Sequence, residues 1–371
     1  MAALGLAAAV PAARAETEWT VGQVAPLTGP LGAAPGQMSA GIRLYFDKVN
    51  AAGGVAGKPL RLLSRDDKYQ ASEAPKQFDA LMDSPAKPIA LVGAFGTDNT
   101  EALIKYPAFV RSGLPLLGGR TGASILRTSG SRQVFHLRAS YHDEVEKIVE
   151  QLTSNGMTKI GMAYQSGGFG LDALAGLKAS LQKRNLAPGR TVELDIKTEQ
   201  LASAVKTLSQ DMPQALVLVG SAGPAAAFMR EFRKAGGSAQ IFGISSVEAG
   251  ALVSTLGVEG ARGIMISEVM PDQVQRQLQF TREFVADVRQ YGENKVQPGF
   301  AAAEGYLVGK VFVEALRRAQ PNPTPAKITE ALEAMNGYDV GGIIISFSRN
   351  DHVGTHYVDT AVINNAGKLL Y

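Results

Sequence analysis

Short apolar runs and amphipathic stretches alternate along most of this chain, regularly enough to suggest its architecture. Residues 19–25 (WTVGQVA) and 60–65 (LRLLSR) have the length of strands. Between them, residues 38–49 set Ile42, Phe46 and Val49 on one face of a helix that Gly53 and Gly54 stop. The same rhythm predicts helices over 72–82 and 101–111 and strands over 89–94, 114–117 and 133–138. Apolar runs this short, hydrophobic on both faces, suit parallel strands covered by helices on either side. The rhythm then restarts. Helices over 143–152, 171–184, 202–209, 225–234 and 249–256 alternate with strands over 159–164, 191–196, 215–219, 240–244 and 263–270. Past Pro271 the chain turns helical, over 273–291, 299–318 and 325–335, so these helices are expected to return and cover the first sheet. Apolar runs at 343–347 and 357–364 close the chain.

The expected fold is α/β, with two doubly wound lobes built on parallel central sheets. Residues 16–139 with 270–347 would form the first lobe, and 140–269 with 348–371 the second. Three chain crossings, near 138–141, 267–270 and 347–351, would join them as a hinge with one main degree of freedom. The length of 371 residues agrees, at roughly 150 residues per domain.

Residues 2–10 are almost purely Ala, Leu, Gly and Val, and Ala13-Arg14-Ala15 has the small-x-small form of a signal-peptidase site. Residues 1–15 therefore read as the remnant of a cleaved secretory signal; an Ala-rich terminus carrying no address is the other reading. The net charge of +3 is spread through the chain with no basic run longer than two, which argues against nucleic acid or an anionic membrane as partner. The absence of cysteine excludes thiolate metal sites, disulfides, a thiol nucleophile and a lipid-modified cysteine.

Ligands of open α/β sheets bind where strands end. Two stretches have that form: residues 88–100 (PIALVGAFGTDNT) and 114–124 (LPLLGGRTGAS) each run from a strand into Gly, Thr and Ser before a helix. Phe95 offers an apolar wall, and Thr97, Asn99, Thr100 and Thr121 offer hydroxyl or amide groups. The unpaired N–H groups of a following helix would hold a carboxylate. Thr97 and Asp98 read equally as helix caps.

Enzymatic readings are weaker. Residues 168–173 (GFGLDA) fit the dinucleotide fingerprint, with Glu193 and Asp195 further on, but bulky Phe169 lies where a turn would meet pyrophosphate. His352 and His356 stand four apart with only Asp351 and Asp359 nearby, and Asp66-Asp67 reads more simply as a strand-end pair than as an acid and base. No metal site, cofactor or catalytic residue is expected, and the protein reads as a binder.

The runs 21–30 (VGQVAPLTGP), 41–57, the Asp66-Asp67 strand end and 91–97 (LVGAFGT) resemble the periplasmic leucine/isoleucine/valine-binding proteins, the type I substrate-binding proteins of ABC importers. The resemblance covers nearly the whole chain from Trp19. It implies a monomer that captures a small carboxylate-bearing ligand between its lobes and hands it to an ABC permease in the inner membrane. The ligand would be a branched-chain or other apolar amino acid, or else an aromatic or other non-amino organic acid. A ligand sensor docking to a membrane receptor is a further alternative. By position, the resemblance puts ligand contacts at Phe95, Gly96 and Thr97, at Arg120, Thr121 and Gly122, at Phe169, and at Ser221 and Ala222. Ser245 falls where amino-acid binders carry a glutamate for the ammonium group, with Glu248 three residues on. Ala34 or Pro35 replaces an aromatic. Arg120 replaces a small residue, as a positive fork suited to a second acidic group. Glu304 and Tyr306 read either as cleft residues or as surface and core.

Overall fold

The computed structural model of the chain describes residues 18–29, 31–128, 132–194, 198–272, 277–293 and 295–371. The expected signal segment at 1–15, Asp195 and the start of the helix expected over 273–291 lie outside them. Five parallel strands form the first sheet: β1 (Trp19–Ala25), β2 (Leu60–Asp66), β3 (Leu91–Val92), β4 (Leu116–Leu117) and β5 (Val134–Phe135), in the order β2-β1-β3-β4-β5. Every residue of β1 is buried, as expected of a strand covered on both faces. The order reverses between β1 and β3, and this switch point aims their following loops apart to leave a crevice. The first-lobe helices are α1 (Ala33–Ala51), α2 (Ala74–Met82), α3 (Thr97–Ile104), α4 (Pro107–Ser112) and α5 (Ile125–Thr128). The single helix expected over 101–111 is thus two. Pro107 supplies no N–H to continue α3, and its ring holds Tyr106 extended at φ −69°, ψ 123°.

The second lobe alternates α6 (Tyr141–Ser154), β6 (Ile160–Gln165), α7 (Gly168–Gln182), β7 (Thr191–Leu194), α8 (Thr198–Ser209), β8 (Ala215–Val219), α9 (Ala222–Lys234), β9 (Gln240–Gly243), α10 (Ala249–Ala261) and β10 (Met265–Glu268). Three helices follow, α11 (Gln279–Tyr291), α12 (Phe300–Arg318) and α13 (Pro325–Glu333). Of these, α12 lies along α1 in the first lobe. The backbones meet at paired glycines: a Cβ added to Gly305 would sit 1.9 Å from the Met38 carbonyl oxygen, and one on Gly41 2.0 Å from that of Ala302. The apolar run at 343–347 enters neither central sheet; β11 (Tyr338–Asp339) and β12 (Ile344–Ile345) pair as a separate hairpin. The chain ends in β13 (Asp359–Ile363), antiparallel to β10, and β14 (Leu369–Leu370), antiparallel to β13, which extend the otherwise parallel second sheet in the order β14-β13-β10-β9-β8-β6-β7.

Two of the crossings between the lobes are bonded to each other. The His136 N–H donates to the His352 carbonyl at 2.8 Å, and the Gly354 N–H donates to the His136 carbonyl at 2.8 Å. His136 itself is buried, and burial, followed by the Arg127 guanidinium, lowers its pKa to about 3. Because the unfolded chain protonates this imidazole near pH 6.5 while the folded hinge excludes the proton, acid favours unfolding over that interval. The stability difference is expected to be about 2 kcal/mol lower at pH 5 than at pH 7 on this account alone. Denaturant titrations of the protein and of His136→Phe at both pH values check it, and an unchanged pH slope in the variant would remove His136 as the cause.

Candidate functional site

The carboxyl ends of β3 and β4 and the helix starts of the second lobe enclose a cavity of about 240 Å³ between the lobes. Six helices bring their first turns or capping residues to its edge: Ala33 opens α1, Thr97 opens α3, Tyr141 opens α6, Phe169 is second in α7, Ala222 opens α9 and Glu248 precedes α10. Each helix start carries unpaired N–H groups and roughly half a positive charge, so together they favour an anion.

Aromatic pairs wall the cavity on both sides. Tyr69 and Phe95 meet edge to face at 6.4 Å between ring centroids, and Tyr141 and Phe169 lie 4.9 Å apart. Tyr69 holds a left-handed backbone (φ 59°), which costs a non-glycine residue about 1 kcal/mol or more, and its N–H is held by the Asp67 carboxylate at 2.9 Å. Gly96 makes room for it: at φ 85°, any Cβ there would meet the Tyr69 ring at 2.7 Å. The Asp66-Asp67 pair is therefore loop architecture, for Asp66 in turn accepts from the Leu27 and Lys68 N–H groups at 2.9 Å each.

Of the residues expected to touch a ligand, Phe95, Gly96, Thr97, Arg120, Phe169, Ser221 and Ala222 line this cavity. Thr121, Gly122 and Ser245 do not. Thr121 is fully buried behind Thr97, their hydroxyls 2.8 Å apart. Gly122 lies against Tyr141, whose N–H donates to the Gly122 carbonyl at 2.8 Å. The capping alternative for Thr97 and Asp98 is not realised: Gly96 is the N-cap of α3, and no side chain caps the helix there. Asp98 instead accepts from the Gly168 N–H across the cleft at 3.2 Å, so the glycine turn of the dinucleotide-like motif receives a carboxylate of this chain.

Ser245 belongs to an ionic network at the hinge. The fully buried Glu144 carboxylate accepts from the Ser245 N–H (2.7 Å), the Ser245 hydroxyl (3.0 Å) and the Ser267 hydroxyl (2.7 Å), and pairs with Arg138 at 3.4 Å. Arg138 also reaches Glu304 at 3.4 Å. Arg120 is paired twice, to Glu304 at 2.9 Å and, across the cleft, to Glu248 at 3.0 Å. Its charge is already matched, which corrects the reading of Arg120 as a fork open to a second acidic group of the ligand. Glu304 does not line the cavity but braces Arg120 and Arg138, which do, whereas Tyr306 is a core residue bonded to Asp287.

Sequence reasoning missed Tyr69, Tyr141, Gln165 and Arg138 as lining residues and did not assign Glu248 to the site, although all five face the cavity. Glu248 had a signal, being the acidic residue nearest the vacant glutamate position. Gln165 had none, since its role is to accept from the Ser221 N–H and hydroxyl at 2.9 Å each. Among the described residues no cluster of three metal-ligating side chains forms. His352 contacts Glu333 while His356 contacts Asp143. Among the described residues no helix is long and apolar enough to cross a membrane.

Residues 18–368 match the model of a family described as periplasmic binding protein. A substrate-binding periplasmic protein from Ralstonia solanacearum is similar in structure, with 34% identity, a TM-score of 0.88 and coverage of 95% of this chain and 99% of that one. A possible leucine/isoleucine/valine-binding protein from Rhodopirellula baltica aligns at 26% identity and TM-score 0.89, covering 97% of this chain and 98% of its own. The fold is shared with a branched-chain amino acid ABC transporter protein from Thermus thermophilus carrying bound valine, at 18% identity and TM-score 0.83, over 95% of this chain and 94% of that one. No curated protein matches the sequence.

Proposed function

This chain belongs to the periplasmic binding protein family, and from that premise we propose that it captures a small carboxylate-bearing molecule, an amino acid with an apolar body, in the inter-lobe cavity. The observation that carries the reading is the meeting of several helix N-termini with two aromatic pairs around one cavity. The ligand's carboxylate sits against Thr97, Arg120 and the first N–H groups of α3, the aromatic rings cover its apolar body, and Glu248 faces its amino group. Gly96, Ser221 and Ala222 complete the contacts, with Thr121 and Gly122 supporting them from behind and Ser245 from the hinge. Residues 16–139 with 270–347 and residues 140–269 with 348–371 act as the two jaws. Contacts from both jaws exist together only when they are closed, so the ligand shifts the population towards closure by its differential affinity. The closed protein is read by an ABC permease in the inner membrane, which the chain, as a monomer, reaches in the periplasm after loss of residues 1–15.

A second reading, an organic acid without an amino group, is favoured by Arg120 already holding the Glu248 carboxylate. A thermal-shift screen of amino acids, hydroxybenzoates, phenylpropanoids and dicarboxylates separates the two. A response to amino acids supports the first reading; a response only to acids lacking an amino group replaces it with the second. Thr97→Ala is expected to weaken binding of the responding ligand about tenfold, the worth of one hydrogen bond to a charged group. The ligand-free melting temperature should stay within about 2 °C, because Thr97 caps nothing and the Thr121 hydroxyl keeps the Ala123 N–H. Early unfolding of the empty variant would instead make Thr97 a structural residue.

A further inference from the structure

A second cavity, of about 410 Å³, opens between the lobes beside the first. Ala33, Ala34, Glu248 and Ala251 line both, so the two spaces meet across one thin partition of three alanines and a glutamate. The small residues at 33 and 34 keep that partition low. On the far side lies Glu268, the last residue of β10, only 2% exposed and facing the second cavity. Among the described residues no hydrogen bond reaches its carboxyl group. A buried carboxyl left without a partner costs free energy, which a ligand group paired with it would recover.

We propose that the two cavities form one elongated site, and that the ligand is an amino acid whose side chain passes Glu248 and ends in a basic group paired with Glu268. This rests on the reading of the first cavity as the seat of the ligand's carboxylate. The unpartnered Glu268 carboxyl selects a basic end, since both guanidinium groups nearby are engaged by other carboxylates. Arg120 and Arg138 face Glu144, Glu248 and Glu304, which leaves one carboxylate in excess before Glu268 is counted. The starts of α1, α10 and α12 also border the cavity, at Ala33, Ala249 and Phe300, each offering roughly half a positive charge, so the basic end is selected by the Glu268 contact itself and not by the sum of charges. Burial, with Glu144 and Glu304 close by, holds the Glu268 carboxyl well above the usual carboxylate range. An arriving ammonium group therefore displaces its proton to solvent and pairs with the carboxylate left behind.

The test is calorimetric titration of the full-length protein with three ligands differing at the end of the side chain: L-lysine, norleucine and 2-aminoadipate. Lysine is expected to bind at least tenfold more tightly than norleucine, and 2-aminoadipate more weakly than either. In Glu268→Gln the advantage of lysine over norleucine should vanish while norleucine affinity stays within twofold. Should that variant not fold, Gly250→Leu serves, because Gly250 lines the second cavity and not the first and a Cβ there meets nothing within 4 Å; it should remove the lysine advantage alike. Norleucine binding as tightly as lysine, 2-aminoadipate binding best, or a lysine advantage that survives in the variants would overturn the extension while leaving the first cavity an amino-acid site. Silence towards all three, with a response to acids lacking an amino group, would overturn the amino-acid reading and this inference with it.

Discussion

Glu144→Ala is expected to lower the unfolding free energy by about 4 kcal/mol, the cost of breaking a buried ion pair from one side. The carboxylate is wholly buried and is the point at which α6, the turn at Ser245, β10 and Arg138 are tied. Without it the Arg138 guanidinium keeps only Glu304 as a charge partner at 3.4 Å, and the Ser245 N–H loses its acceptor. An unpaired buried N–H alone costs about 1–3 kcal/mol. Glu144→Gln, which keeps the shape and drops the charge, should fall between the variant and the parent. Urea unfolding at pH 7 measures both; a loss below about 1 kcal/mol for the alanine variant would mean that water replaces the carboxylate without penalty.

The second large effect lies where α1 crosses α12. In an isolated helix Gly305→Ala would stabilise by about 1 kcal/mol, since alanine is the better helix former. Here the new Cβ would fall 1.9 Å from the Met38 carbonyl oxygen, well inside contact distance, and the obstacle is backbone that cannot swing aside. Overpacking of this kind costs typically 1–3 kcal/mol and here should reach about 3, so the net sign is destabilising. Gly36→Ala in α1, where a Cβ meets nothing within 4 Å, is the matched control and should be neutral or slightly stabilising. Equal melting temperatures for the two variants would show that the helices can separate freely.

The α/β class, the double winding and the return of the last helices to the first lobe follow from alternation alone, because a strand covered on both faces must be apolar throughout and a covering helix on one stripe only. The chain also marks where the cavity forms, since the Gly and Thr breaks around Phe95 and Arg120 fall at strand ends. Its limits are equally physical. Pro107 splits a helix whose apolar spacing runs on unbroken, and the direction of β13 depends on a partner strand nearly a hundred residues earlier. Arg120 looks like an open cation until Glu248 and Glu304, 128 and 184 residues away, are brought to it. Glu144 reads as an ordinary polar position of an amphipathic helix, and Glu268 as the end of a strand. Local periodicity reports which face of an element is apolar, whereas the charge a buried residue finally carries depends on which distant side chains the fold sets beside it. The sequence therefore determined two lobes and the place of the cleft between them, and the tertiary structure alone decided which of its polar groups are satisfied within the chain and which are not.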